Sequence, residues 1–159
     1  MNGHVYVDKI VYDNLISIAK TSIYEESGIF LGYYLDNSYF ITDYVVDKTQ
    51  TNKSSTSAIR RTAGIYDEYL LKTVGKKPVD YMGEWHTHPA GVNNLSSLDI
   101  IAGKSILGSP DYGRPKQIFV GVFPKSYRPL IYLFTRNTHE LMYIEVMHSN
   151  ERNFNDKID

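Results

Sequence analysis

The sequence of 159 residues contains no cysteine. Without thiolates the chain has no disulfide bond, no cysteine-ligated zinc, no iron–sulfur cluster and no thiol nucleophile. If the protein cleaves or transfers a chemical group, it must use an oxygen nucleophile, an amine or a metal ion. Deamination of nucleic-acid bases, which uses a zinc site built with cysteine, is excluded for the same reason.

Excess charge and long apolar runs are also lacking. Seventeen Lys and Arg face eighteen Asp and Glu, and the formal net charge of −1 removes the electrostatic argument for non-specific binding to nucleic acid or membrane surfaces. No apolar run approaches the roughly 20 residues needed to cross a bilayer. The start, Met1-Asn2-Gly3-His4, has no secretory signal pattern. We therefore expect a cytoplasmic protein with neither a nucleic-acid nor a membrane partner.

Length and composition predict one folded domain. A domain has roughly 150 residues, and a chain of this size buries about two-thirds of its unfolded surface. The apolar fraction of 42% and the charged fraction of 22% are typical of a globular protein. We assign residues 1–149 to the domain and residues 150–159 to a polar C-terminal tail.

The hydrophobic pattern interleaves strands with helices. It predicts strands over residues 5–7, 27–35, 39–46, 79–85, 116–123, 129–135 and 140–147. It predicts helices from Asp8 to about Thr21, over residues 58–74, and from Ser96 to near Gly108, the last with Leu98, Ile101 and Ile106 as its apolar positions. This order indicates an α/β (α+β) domain with one mixed central sheet flanked by helices.

One stretch, residues 83–89, stands out chemically because it contains two histidines at alternate positions. His86 and His88 lie on an extended segment, so their imidazoles leave the same face. Two nitrogens can then converge on one metal ion. A histidine pair alone is more often structural than functional.

An aspartate shortly downstream strengthens the metal interpretation. Ser96 and Asp99 are three residues apart at a helix start and project from one side. The short loop after Pro89 can fold this helix start back over His86 and His88. Two imidazoles and one carboxylate are the ligand set of a catalytic zinc site, which keeps a fourth position for water. A first-turn carboxylate stabilised by the helix dipole is the alternative for Asp99, and both roles can coexist.

The whole pattern resembles the JAB1/MPN metalloprotease family, whose signature is called JAMM. The signature reads His-x-His-Pro over residues 86–89, then Ser96 and Asp99. Its upstream element is a glutamate three residues before a glycine that opens an apolar strand. Glu25 and Gly28 match that element, about sixty residues before the histidines. The resemblance covers nearly the whole chain and is closer to bacterial members than to eukaryotic proteasome or signalosome subunits.

The resemblance implies a fold and a role for each residue. It implies a single JAB1/MPN domain, which is cytidine-deaminase-like, with Zn²⁺ bound by His86, His88 and Asp99. Glu25 would be the general base that takes the proton from zinc-activated water and delivers it to the leaving amine. Ser96 would donate a hydrogen bond to the tetrahedral oxyanion.

Two other glutamates compete with Glu25 for the role of base. Glu84 lies two residues before His86, so strand periodicity alone favours it as strongly. Glu26 is the alternative if the register is shifted by one residue. Only the family spacing to Gly28 selects Glu25, and the role of Glu84 stays open.

The resemblance also implies a substrate class. Such enzymes hydrolyse the isopeptide or peptide bond after the C-terminal residue of a ubiquitin-like protein or its conjugate. Bacterial members accompany E1- and E2-like conjugation enzymes and, in antiphage operons, a nucleotidyltransferase as the conjugation target. Two alternatives are an amidase for sulfur-carrier tails or small amides, and a non-catalytic MPN scaffold. A scaffold usually lacks at least one metal-site residue, whereas all are present here.

Overall fold

The computed structural model describes residues 3–48, 65–90 and 93–148. The strands are β1 (His4–Asp8), β2 (Ser27–Leu35), β3 (Ser38–Val46), β4 (Asp80–His88), β5 (Gln117–Pro124), β6 (Leu130–Thr135), β7 (His139–Leu141) and β8 (Tyr143–Met147). The helices are α1 (Lys9–Thr21), α2 (Tyr66–Thr73) and α3 (Ser97–Ile106), and a short 3-10 turn covers Pro110–Tyr112. The predicted mixed α+β architecture is confirmed. The proposed tail over residues 150–159 lies outside the described residues.

All eight strands form one sheet in the order β7-β6-β5-β4-β2-β3-β1-β8. The pairs β1–β3, β1–β8 and β4–β5 are parallel, whereas β2–β3, β2–β4, β5–β6 and β6–β7 are antiparallel. The predicted mixed sheet is therefore confirmed.

The predicted final strand over residues 140–147 is wrong as a single element. Met142 divides it into β7 and β8, which lie at opposite edges of the sheet order. The backbone N–H of Met142 donates to the carbonyl oxygen of Ile131 in β6 (2.8 Å), and that of Tyr143 donates to Gly3 before β1 (2.8 Å). The adjacent residues Met142 and Tyr143 therefore link β6 to the residue before β1, and the sheet is nearly closed.

Side-chain alternation along the strands divides the core between the two faces of the sheet. One face packs around α1, whose buried residues Val11, Leu15 and Ala19 meet the fully buried Trp85 and Phe30. The opposite face carries two smaller clusters, one against Ile65 and α2 and one against α3. The sheet thus curls around α1 and leaves α2 and α3 on its other face.

The predicted helix over residues 58–74 is confirmed only for its second half. Among the described residues the helix begins at Tyr66, and residues 58–64 of the prediction lie outside them. Its end is as predicted, because Gly75 has a positive φ of 72° that favours glycine after a helix.

The third predicted helix is confirmed, but the face that it buries is different. Leu98 and Ile101 are 61% and 65% exposed, while Asp99, Gly103 and Ile106 are buried. Gly103 allows the helix to approach the ring of Phe134, which a Cβ would meet at 2.5 Å. The inward face of α3 is therefore formed by Asp99, Gly103 and Ile106, so that of the three predicted apolar positions only Ile106 is buried.

The hairpin of β2 and β3 is confirmed at both ends. Asp36 and Asn37 have positive φ values of 51° and 62°, as a two-residue turn of this kind requires. At the other end, a Cβ on Gly28 would lie 1.8 Å from the carbonyl oxygen of Val45 and 2.7 Å from the ring of Trp85. Only glycine allows this approach, which brings the start of β2 against β4. No helix within the described residues is long and apolar enough to span a membrane.

Candidate metal centre

The C-terminal half of β4 places both histidines in the interior of the sheet. β4 runs through His88, three residues beyond the predicted strand end, with β2 on one side and β5 on the other. His86 pairs with Ser27 of β2, and His88 pairs with Pro124 of β5. The exposed fractions of His86 and His88 are 9% and 8%. Both rings therefore project from one face of a strand that is held on two sides.

The first turn of α3 supplies the carboxylate. Ser96 is the N-cap: its Oγ accepts from the backbone N–H of Asp99 (3.0 Å), and Asp99 Oδ2 accepts from the backbone N–H of Ser96 (2.9 Å). This reciprocal capping box satisfies two backbone donors at the helix start. It also fixes the rotamer of Asp99, which is 4% exposed and faces the sheet. Capping and ligand presentation are thus properties of the same carboxylate.

Three potential ligand atoms meet in one small triangle. The Nε2 atoms of His86 and His88 are 2.9 Å apart, and they lie 3.2 Å and 3.4 Å from Asp99 Oδ2. In a tetrahedral zinc site with ligands at about 2.0–2.1 Å, adjacent donors are about 3.3 Å apart. The three separations approach this value, and two imidazoles with one carboxylate are a donor set that zinc accepts. These residues therefore fit the metal that the sequence predicts.

The electrostatics of the triangle keep Asp99 ionised. Burial by itself raises the pKa of Asp99, but its hydrogen bonds with His86 and His88 and with the backbone of Ser96 hold that pKa well below its usual range. A buried carboxylate in contact with two imidazoles needs a positive charge nearby. A divalent cation supplies that charge while leaving both histidines neutral, which is the form that coordinates metal.

The segment that contains Glu25 is bonded to the end of β4 that carries this triangle. The backbone N–H of Thr87 donates to the carbonyl oxygen of Glu26 (2.8 Å), which continues the β2–β4 register one residue beyond the Ser27–His86 pair. Glu25 is the residue directly before Glu26 and lies just outside β2. Its side chain is half-buried. The structure therefore brings Glu25 to the end of β4 where the three candidate ligands meet.

The two competing glutamates occupy different surroundings. Glu26 is half-buried, and its backbone N–H and carbonyl oxygen both form hydrogen bonds with Thr87. Glu84 is 6% exposed, and its Oε2 accepts a hydrogen bond from the hydroxyl of Tyr81 (2.9 Å). Glu84 is on the same face of β4 as His86, as periodicity predicts. Its oxygens do not belong to the group of ligand atoms from His86, His88 and Asp99, which lie within 4.8 Å of one another.

Thr87 is a positioning residue that the sequence did not single out. Thr87 lies between the two histidines in sequence and is fully buried. Its Oγ1 accepts a hydrogen bond from the backbone N–H of Glu26 (2.9 Å). Together with its own backbone N–H it anchors the segment that carries Glu25. A polar residue between two histidines on a strand was the available signal, but its partner lies 61 residues away.

Comparison with known proteins gives information on the fold alone. No model of a known protein family matches the chain, and no curated protein matches it. Among solved structures, the chain is similar to the solution structure of protein DSY2949 from Desulfitobacterium hafniense, with a TM-score of 0.65. The two sequences are 12% identical, and the match covers 91% of this chain and 94% of that one.

Proposed function

We propose that the protein is a zinc-dependent hydrolase of the JAMM type, with a single JAB1/MPN domain similar to bacterial members of that family. The observation that supports the proposal most is the triangle of His86, His88 and Asp99, with separations of 2.9–3.4 Å between buried donor atoms. The three donor atoms are buried, and their spacing is close to that of the ligands in a tetrahedral zinc site. Glu25, in the segment bonded to the same end of β4, adds a carboxylate that can transfer protons.

Each residue has a separate task in amide hydrolysis. A divalent metal ion held by His86, His88 and Asp99 would supply Lewis acidity and would lower the pKa of water. Glu25 takes a proton from the attacking water and delivers it to the nitrogen of the leaving amine. Ser96 Oγ already accepts from the Asp99 backbone, so its own proton is available for donation to the oxyanion. No covalent intermediate is needed, which agrees with the absence of cysteine.

The proposed substrate is the bond after the C-terminal residue of a ubiquitin-like protein, in a conjugate or a fusion. The cellular context that we propose is a bacterial conjugation system of antiphage defence, with E1- and E2-like enzymes and a nucleotidyltransferase as partners. Both proposals come from the sequence resemblance. The group of His86, His88 and Asp99 supports the metal site on which both proposals depend.

Incubation of the zinc-loaded full chain with fusions of ubiquitin-like proteins to a reporter tests this function. We expect cleavage after the last residue of the ubiquitin-like protein, identified by the mass of the released fragment, and inhibition by a chelator. Peptides that carry only the tail serve as the second substrate. Equal turnover of tail and fusion would favour the amidase alternative, whereas zinc binding without cleavage of either would favour the non-catalytic scaffold.

Substitution of Ser96 separates its capping role from its catalytic role. Ser96→Ala is expected to lower kcat about a hundredfold through loss of an oxyanion donor, and to lower the free energy of unfolding by about 1 kcal/mol through loss of the cap. Ser96→Gly should lose the same activity but only a few tenths of a kcal/mol of stability, because glycine is tolerated at an N-cap. Denaturant titration and steady-state kinetics measure the two effects.

The matched control for this experiment is the adjacent serine. Ser97 is exposed on the first turn of α3, so Ser97→Ala should change neither turnover nor stability. Wild-type kcat in both Ser96 variants would reduce Ser96 to a helix cap.

A further inference from the structure

A cleft opens between α2 and the 3-10 turn that follows α3. Its volume is about 550 Å³. Four tyrosines and two aspartates are among its lining residues, namely Tyr66, Tyr69, Tyr81, Tyr112, Asp80 and Asp111. The floor includes the buried Ile29 of β2, which pairs with Glu84 of β4. The cleft is therefore on the α2 and α3 face of the sheet, the face that also carries the metal centre.

The charged groups of the cleft are all of one sign. Among the described residues that line it, Asp80 and Asp111 are the charged ones, and neither Lys nor Arg is present. Asp80 Oδ1 accepts from the hydroxyl of Tyr69 and from the backbone N–H of Tyr81 (2.7 Å). Burial and the bond to Asp80 raise the pKa of Tyr69 to about 12. At neutral pH the phenol therefore stays protonated and donates its hydrogen bond to Asp80.

The tyrosines give the cleft a second feature that attracts cations. The rings of Tyr66 and Tyr69 stack with centroids 6.1 Å apart, and those of Tyr81 and Tyr112 lie 5.5 Å apart. Aromatic faces carry negative electrostatic potential and bind ammonium or guanidinium groups, while the methylene stems of Lys and Arg pack on the same rings. Tyrosines and carboxylates together select for a cation with an apolar stem.

The strand register gives the distance from the cleft to the metal centre. Tyr81 pairs with Leu31 of β2, and His86 pairs with Ser27, so four residues of β2 separate the two positions. At about 3.4 Å per residue this separation is about 14 Å. An extended peptide covers such a distance in about four residues. A peptide that runs from the metal centre along β4 towards Tyr81 would have its fourth residue near the cleft.

We propose that the cleft is a specificity site for a basic side chain, arginine or lysine, about four residues from the scissile bond. The proposal rests on the peptidase function proposed above. The proposal specifies a positively charged substrate side chain, because both charged groups among the described lining residues are acidic. A peptide with a neutral residue at this position keeps its contacts at the metal centre but loses the pairing with Asp80 and Asp111.

The test measures binding separately from cleavage. Fluorescent peptides carry either arginine or glutamine at the third, fourth or fifth residue on either side of the scissile bond. Their binding to the zinc-loaded full-length Glu25→Gln variant is followed by fluorescence anisotropy. We expect arginine to bind about tenfold more tightly than glutamine at one of these positions. The double variant Asp80→Asn, Asp111→Asn should reduce this preference to twofold or less.

An exposed aspartate outside the cleft provides the matched control. Asp67 lies in the first turn of α2 and is not among the lining residues, so Asp67→Asn should keep the full preference. Equal affinity for arginine and glutamine at every position would overturn the proposal, as would an arginine preference that persists in the double variant. Failure of all arginine peptides to bind at 1 mM would also overturn it.

A parallel measurement separates this inference from the proposed function. Wild-type protein is given the same peptides, and cleavage is scored for arginine and glutamine forms. Cleavage of both forms at equal rates would support the hydrolase while rejecting the cleft as a specificity site. Preferential binding of arginine peptides with no cleavage of any peptide or fusion would show that the cleft binds basic side chains, but it would reject the hydrolase and with it the specificity role.

Discussion

Replacing Glu25 by glutamine is expected to lower kcat for amide hydrolysis about a thousandfold while zinc stays bound at one ion per chain. Glutamine has the same shape as glutamate but cannot take up a proton from water, and positioned acid–base groups contribute 10²–10⁴-fold to rates. Glu25 is not one of the three donor atoms in the triangle, so its loss should leave the metal site intact. Steady-state kinetics on a fusion substrate and metal analysis of the same sample measure both quantities.

Two glutamates that compete with Glu25 are the controls for this prediction. Glu26→Gln should retain turnover within tenfold, because the contacts that hold this residue to Thr87 are made by its backbone. Glu84→Gln should also retain turnover within tenfold, because its Oε2 is bound by Tyr81 rather than directed to water at the triangle. A thousandfold loss in Glu84→Gln, with wild-type turnover in Glu25→Gln, would transfer the role of base to Glu84.

Replacing His88 by alanine is expected to remove zinc and, with it, all hydrolysis. Zinc binding in protein sites amounts to roughly 10 kcal/mol or more, so loss of one of three ligands should weaken binding by at least about a hundredfold. Metal that binds only the folded state stabilises it, by about 2.7 kcal/mol at a hundred times Kd. The wild-type melting temperature should therefore rise by about 5–10 °C with zinc, whereas that of His88→Ala should not.

The control for the histidine substitution is a histidine away from the triangle. His139 is exposed on β7, and its ring lies 5.7 Å from the ring of Phe134. His139→Ala should keep the zinc content, the zinc-dependent rise in melting temperature and the turnover of the wild type. Stoichiometric zinc in His88→Ala would show that the ligand set assigned here is incorrect.

Local chemistry explains why several elements could be predicted from the sequence. The strand over residues 27–35 and the Asp36-Asn37 turn follow from branched and aromatic residues next to residues that tolerate positive φ. Ser96 and Asp99 form the capping box that their spacing of three predicts. In each case the interacting groups are a few residues apart, so the local sequence is enough to predict the structure that they form.

Other elements depend on partners far away in the chain. Residues 140–147 have one continuous strand pattern, yet the two halves lie at opposite ends of the sheet order. The backbone N–H of Met142 donates to Ile131, and that of Tyr143 donates to Gly3. Leu98 and Ile101 are apolar, yet α3 turns them outward because Asp99 and Gly103 meet the sheet. Periodicity cannot decide such cases, because it does not specify which face has a partner.

The sequence by itself determined the kind of chemistry that is open to this protein. The absence of cysteine excludes a thiol nucleophile, and alternation along a strand is sufficient to place His86 and His88 on one face. Only the tertiary structure decided that Asp99 reaches both imidazoles and that the segment of Glu25 and Glu26 is bonded to β4 at Thr87. These approaches depend on the packing of α3 and the pairing of β2 with β4, which are contacts between residues distant in sequence.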